Sequence, residues 1–183
     1  LKRLTFHELA HAGHYSQVGD VYWRNVINAE VNAGGHGNEN SPNAGLIAIV
    51  ESWAEYIARS YADRSYGFDN SVDPGDNYWI DLLEATRNEV PNHIPIGIHR
   101  DLVDNTPFET EAWDRSDPNF WDLIDGNPFP IDDLVSGFTN HQIFSSLNAN
   151  VTTPIQFRNW LNSNYTNSTN NNANDVNDLF NSY

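Results

Sequence analysis

The chain has 183 residues, with 9 basic against 25 acidic side chains, and the formal charge of −16 opposes binding to a phosphate backbone, so nucleic acid is excluded as a partner. Hydrophobic residues at 39% and aromatic residues at 13%, six of them Trp, supply the apolar surface that one folded domain needs. Cysteine is absent, which removes disulfides, thiolate metal sites and cysteine nucleophiles together, so any transition-metal site must be built from His, Asp and Glu.

In chain order, the first fifteen residues read as a helix, with Leu4, Leu9 and Ala12 apolar and no proline. Residues 19–40 read as an irregular loop, because Val21, Trp23 and Val26 alternate in a strand-like way and Gly34-Gly35-His36-Gly37 breaks what precedes it. Ser41-Pro42 is a helix start, Ser as N-cap and Pro at the first helical position, and residues 44–62 continue as the longest helix. Asp73-Pro74-Gly75-Asp76 makes a turn before a helix over 78–88. Similar starts occur at Asp117-Pro118 and Thr153-Pro154, and Thr139 caps a helix over 140–147. The twenty residues 162–181 contain nine Asn, a polar linker before a terminal turn in which Val176, Leu179 and Phe180 can dock on the body. The expected organisation is a mainly α catalytic domain over 1–161 with long irregular loops, then an Asn-rich linker and tail over 162–183. No apolar run approaches the roughly 20 residues that span a bilayer.

His7-Glu8-Leu9-Ala10-His11 is an H-E-x-x-H sequence. On a helix, residues i and i+4 share a face, so both imidazoles can reach one ion while Glu8 stands beside the water that it would activate. Zinc in hydrolytic sites takes three protein ligands and leaves one position to water. His14 is a poor third ligand, because seven residues of helix put it roughly 10 Å from His7 along the axis. The metzincin pattern fails as well, since His14 and Gln17 stand where it requires Gly and His. The remaining option is a carboxylate on another helix. Glu51 and Glu55 lie at i and i+4 of the longest one, where one can bind metal and the other can receive a ligand's ring N–H.

The pair of motifs resembles the gluzincin metallopeptidases, in which a second helix supplies a Glu ligand. Glu51-Ser-Trp-Ala-Glu-Tyr is similar to the "NEGFAEY" run of the alanyl aminopeptidase group, and the resemblance covers the first third of the chain. It implies His7, His11 and Glu51 as zinc ligands, Glu8 as general base, and Glu55 behind them, where several gluzincins place an Asp. The lethal-factor-like branch would select Glu55 as the ligand. No "GAMEN" sequence is present, so aminopeptidase activity is not implied. Gluzincins also use a Tyr or His to stabilise the tetrahedral oxyanion, and the candidates are Tyr15, His14, His93 and His99.

The function expected from the resemblance is zinc-dependent hydrolysis of a peptide or protein substrate. A non-catalytic zinc-containing module that binds a surface polymer or a protein partner is the alternative. The start at Leu1, together with the β-containing subdomain that gluzincins carry before this helix, points to a piece of a longer precursor with an upstream domain. A secreted, periplasmic or cell-surface location is then expected. Acidic groups at Asp73, Asp76 and Asp81 and at Asp125, Asp132 and Asp133 form no calcium-loop pattern and read as solvated surface rather than a calcium site. Trp53, Trp79, Trp113, Trp121 and Trp160 read as core.

Overall fold

A long helix opens the chain and bends once. In the computed structural model, which describes residues 2–37, 40–66, 97–103, 134–167 and 171–182, α1 runs over Lys2–Ala33 and changes direction at Gly19. Gly19 has φ 79° and ψ −179°, a region open only to glycine, and a side chain placed there would meet nothing within 4 Å. The bend is therefore a backbone requirement rather than a packing one.

Residues 20–33 are thus helical, not the irregular loop that the alternation of Val21, Trp23 and Val26 suggests. The pattern that decides the structure is Tyr22, Val26, Ala29 and Ala33, spaced by four, three and four. The first three of these are buried and pack with Leu46, Ile47 and Val50 of α2, with Ala33 against the edge of the cluster. Val26, Ile47 and Val50 are almost fully buried, and at about 1.5–3 kcal/mol for each such side chain they outweigh any local strand preference.

Helix α2 spans Ala44–Tyr66. It starts later than the Ser41-Pro42 signal indicates, because those residues form a turn in which the Ser41 carbonyl accepts from Ala44 N at 3.0 Å. Asn43 then stands at φ 61°, and its carbonyl takes the first helical bond, from Ile47 N. Arg3 meets Glu55, His11 meets Glu51 and Val26 packs with the start of α2, so the two helices run antiparallel.

The remaining described helices are α3 (Gly97–Asp101), α4 (Asn140–Ser146), α5 (Pro154–Asn164) and α6 (Ala173–Ser182). Among the described residues there is no strand, and no helix is long and apolar enough to cross a membrane. The predicted caps are present: Thr139 accepts from Gln142 N in a capping box, and Thr153 caps α5 with Pro154 at its start. Val176, Leu179 and Phe180 of α6 are fully buried in a core shared with Phe157, Leu161, Ile143 and Trp53, so the terminal segment docks on the body as expected. Trp160 packs against the same core. The helix expected over 78–88, the start at Asp117-Pro118, the Asp groups around 73–81 and 125–133, and Trp79, Trp113 and Trp121 lie outside the described residues.

Both arms of α1 are fixed from behind. His14 Nε2 donates to the Leu147 carbonyl at 2.9 Å, Gln17 Nε2 donates to the Phe144 and Leu147 carbonyls, and Tyr22 donates to Val151 O at 2.8 Å. The acceptors at 144 and 147 lie at the end of α4, where Phe144 O also takes the N–H of the cap residue Leu147 at 3.0 Å. One face of α1 is thereby anchored to the C-terminal helices, which leaves another free to meet Glu51 and Glu55.

Candidate metal centre

His7 and His11 stand one turn apart on the first arm of α1, and Glu51 faces both from α2. His7 Nε2 lies 3.0 Å from His11 Nε2 and 3.3 Å from Glu51 Oε2, while His11 Nε2 lies 3.4 Å from Glu51 Oε1. Four ligands at about 2.0–2.1 Å in a tetrahedron stand about 3.3–3.4 Å from one another, and here each imidazole meets a different oxygen of the one Glu51 carboxylate at about that spacing. Two imidazoles and a carboxylate are also a donor set that suits zinc. Each side chain keeps 15% of its surface exposed, so the centre is neither sealed nor loose.

Glu55 sits behind this face. Its Oε2 is 3.4 Å from His7 Nδ1, the ring atom turned away from Glu51, and its Oε1 is held by Arg3 at 2.7 Å and Arg59 at 2.9 Å. This is the arrangement that fixes a ligand's tautomer and ring orientation. It separates the two carboxylates by what each faces: Glu51 meets Nε2 of both histidines, Glu55 only the far nitrogen of one. His11 has a different support, the ring of Trp23 packed edge-on at 5.4 Å, and Trp23 is brought there by the bend at Gly19.

The electrostatics follow from these contacts. Hydrogen bonds to Glu51 and then to Glu55 raise His7 to about 9, against the opposing effect of burial. Burial alone would raise Glu51, but bonds from His11 and His7 outweigh it and hold its carboxyl well below the usual range. Burial likewise opposes ionisation of Glu55, and His7, Arg3 and Arg59 together bring it down to about 2. The contacts run as a chain from Arg3 and Arg59 through Glu55 and His7 to Glu51.

Glu8 is exposed and projects about 100° round the helix from His7. Tyr15 is exposed one turn beyond His11, with its hydroxyl donating to Asp20. His14 and His99 do not fit the role of oxyanion stabiliser. His14 is 1% exposed and bonded to a core carbonyl, and burial lowers it to about 4. His99 is fully buried among Trp53, Tyr56 and Phe157, with Nε2 3.1 Å from Ser52 Oγ, and burial lowers it to about 3. Neither can meet a substrate from inside the core. His93 lies outside the described residues.

Two residues join the site that no local motif announces. Glu30, from the second arm of α1, and His36, from the glycine-rich loop after it, place ligand atoms within 4.8 Å of one another and of Glu51. Burial, and then the charge of Glu51, raise the Glu30 carboxyl. The available signal was a histidine set between glycines just before the helix that carries Glu51. Comparison of the chain with family models, with curated proteins and with solved structures gives no match.

Proposed function

We propose that the protein is a zinc-dependent peptidase of gluzincin-like type, with His7, His11 and Glu51 holding the ion, Glu55 orienting His7 and Glu8 acting as general base. The observation that carries this reading is the convergence of two Nε2 atoms and one carboxylate at 3.0–3.4 Å, within an H-E-x-x-H helix. A zinc ion held by these donors supplies Lewis acidity, polarising a carbonyl and bringing the pKa of water toward about 7. Among the described residues three side chains, His7, His11 and Glu51, converge on the first position, and their partial exposure leaves a side open to water and substrate, as hydrolytic rather than structural sites require.

The protein's own groups divide the remaining work. Glu8 accepts a proton from the attacking water and returns it to the leaving amine, the two transfers that amide cleavage needs. Arg3 and Arg59 keep Glu55 ionised against burial, and Glu55 keeps His7 turned toward Glu51. Tyr15, exposed one turn past His11, is the described candidate for contact with the developing oxyanion.

The test is cleavage of a peptide library by the zinc-loaded protein, with and without chelator. Glu8→Gln should keep zinc and lose cleavage, and Glu51→Ala should lose both. Chelator-insensitive cleavage, or full activity in Glu8→Gln, overturns the mechanism. Zinc retention with no cleavage by the native chain would instead favour a non-catalytic binding module.

A further inference from the structure

We propose that Glu30, His36 and Glu51 form a second divalent-cation position, so that Glu51 is shared between two ions. The inference rests on Glu51 being a ligand of the first. The donor atoms of Glu30, His36 and Glu51 all lie within 4.8 Å of one another, as do those of His7, His11 and Glu51. The Glu51 carboxylate faces both sets: Oε1 lies 3.4 Å from His11 Nε2, and Oε2 lies between His7 Nε2 at 3.3 Å and His36 Nε2 at 3.7 Å. A carboxylate with donors on both sides is the usual bridge of a two-metal site, whose ions stand about 3.5–4 Å apart.

The backbone holds this second set in place. Helix α1 ends with Gly35 N bonded to the Glu30 carbonyl at 2.9 Å, which ties the loop to the very residue that supplies a carboxylate. Gly37 then sits at φ 69°, so close to the end of α1 and to the turn before α2 that a Cβ would fall 2.7 Å from Ser41 Oγ and 3.0 Å from Ala33 Cβ. His36 is pinned between these two points and is carried back over Glu51 while keeping 69% of its side chain exposed.

Charge and chemistry favour a cation there. Glu30 and Glu51 are two carboxylates brought together in a partly buried place, an arrangement that is repulsive unless a proton or a metal lies between them. Two carboxylates and one imidazole are harder donors than two imidazoles and one carboxylate, so the two positions would differ in metal preference, the second taking manganese more readily than the first. The exposed His36 puts the second ion on the solvent side, where a substrate would arrive.

The experiment is metal titration of the dialysed full chain with zinc(II), by calorimetry and by metal analysis after gel filtration. The expected stoichiometry is two ions for the native protein, and one for Glu30→Gln and for His36→Ala, with the tighter site changed by less than a few-fold. Cobalt(II) supplies an independent readout, because two bridged ions couple magnetically. The doubly loaded native protein should then show a weaker paramagnetic signal per ion than His36→Ala. One ion bound by the native chain overturns the second position and leaves the first intact, whereas none overturns both. Two ions that persist in both variants place the second elsewhere and refute the proposal. Should Glu30→Gln fail to fold, His36→Ala decides, since it alters only an exposed loop side chain.

Discussion

Replacing Glu55 with Gln keeps the size of the side chain and removes one charge from behind His7. That carboxylate lies 3.4 Å from His7 Nδ1 and is gripped by Arg3 at 2.7 Å and Arg59 at 2.9 Å. If His7, His11 and Glu51 hold zinc, the substitution leaves all three donors in place and weakens only the group that orients one of them. Loss of such an outer partner costs about 10- to 100-fold in metal affinity, or about 1.4–2.7 kcal/mol. Glu51→Ala deletes a ligand and should cost more. Arg59→Met, which leaves Arg3 on the carboxylate, should cost less than either. Zinc affinity measured by competition with a chromophoric chelator at constant pH ranks the three variants. An affinity unchanged in Glu55→Gln, or lower in Glu55→Gln than in Glu51→Ala, refutes the division of labour drawn between the two glutamates.

Two further outcomes follow from the core and from the bend. His14 and His99 stay neutral in the fold, held at about 4 and about 3, whereas the unfolded chain protonates histidine near 6.5. The unfolded state therefore binds more protons below pH 6.5, and each buried histidine should remove about 2 kcal/mol of stability between pH 6.5 and 5. His7 shifts the other way and adds stability that is complete below 6.5, while the part due to Glu51 and Glu55 is lost only below the carboxylate range, so neither masks this window. The unfolding free energy lost between the two pH values, read from urea melts of the metal-free chain and of His99→Gln, should be larger for the native chain by that amount; equal losses would show that His99 is not neutral in the core. At the bend, Gly19→Ala should destabilise the protein by about 1–3 kcal/mol in denaturant melts through backbone strain, since the added methyl meets no neighbour. Unchanged stability would mean that α1 does not need the glycine's conformation.

The H-E-x-x-H spacing and the two glutamates of α2 were legible because each pair lies on one helix, where periodicity alone sets the shared face. The caps at Thr139 and Thr153 were legible for the same reason: the cap, the proline and the glutamine are neighbours in the chain. What the sequence hid was the helix over residues 20–33. A glycine at φ 79° resets the direction of α1, so the repeat of Tyr22, Val26, Ala29 and Ala33 has to be counted afresh from Gly19. With that helix went Glu30, and with the loop after it His36, whose approach to Glu51 depends on where α1 ends. His14 and His99 failed as surface candidates because their burial is decided at long range: the carbonyl that fixes His14 lies 133 residues away.

The bend at Gly19 also determines what metal binding would report on. By folding one helix twice onto α2, it gathers every described donor around Glu51, and the arginines behind them, into residues 3–59, while the opposite side of the same helix is fastened to carbonyls at 144–151. An ion seated among those donors would stabilise the helical pair by mass action, about 4 kcal/mol at a thousandfold excess over its dissociation constant. His11 and His14 differ by three residues, so the stabilised stretch of α1 is also the one that α4 leans on. Metal loading should then slow amide exchange not only around His7 but at the far helices, making the C-terminal core a remote gauge of whether the centre is filled.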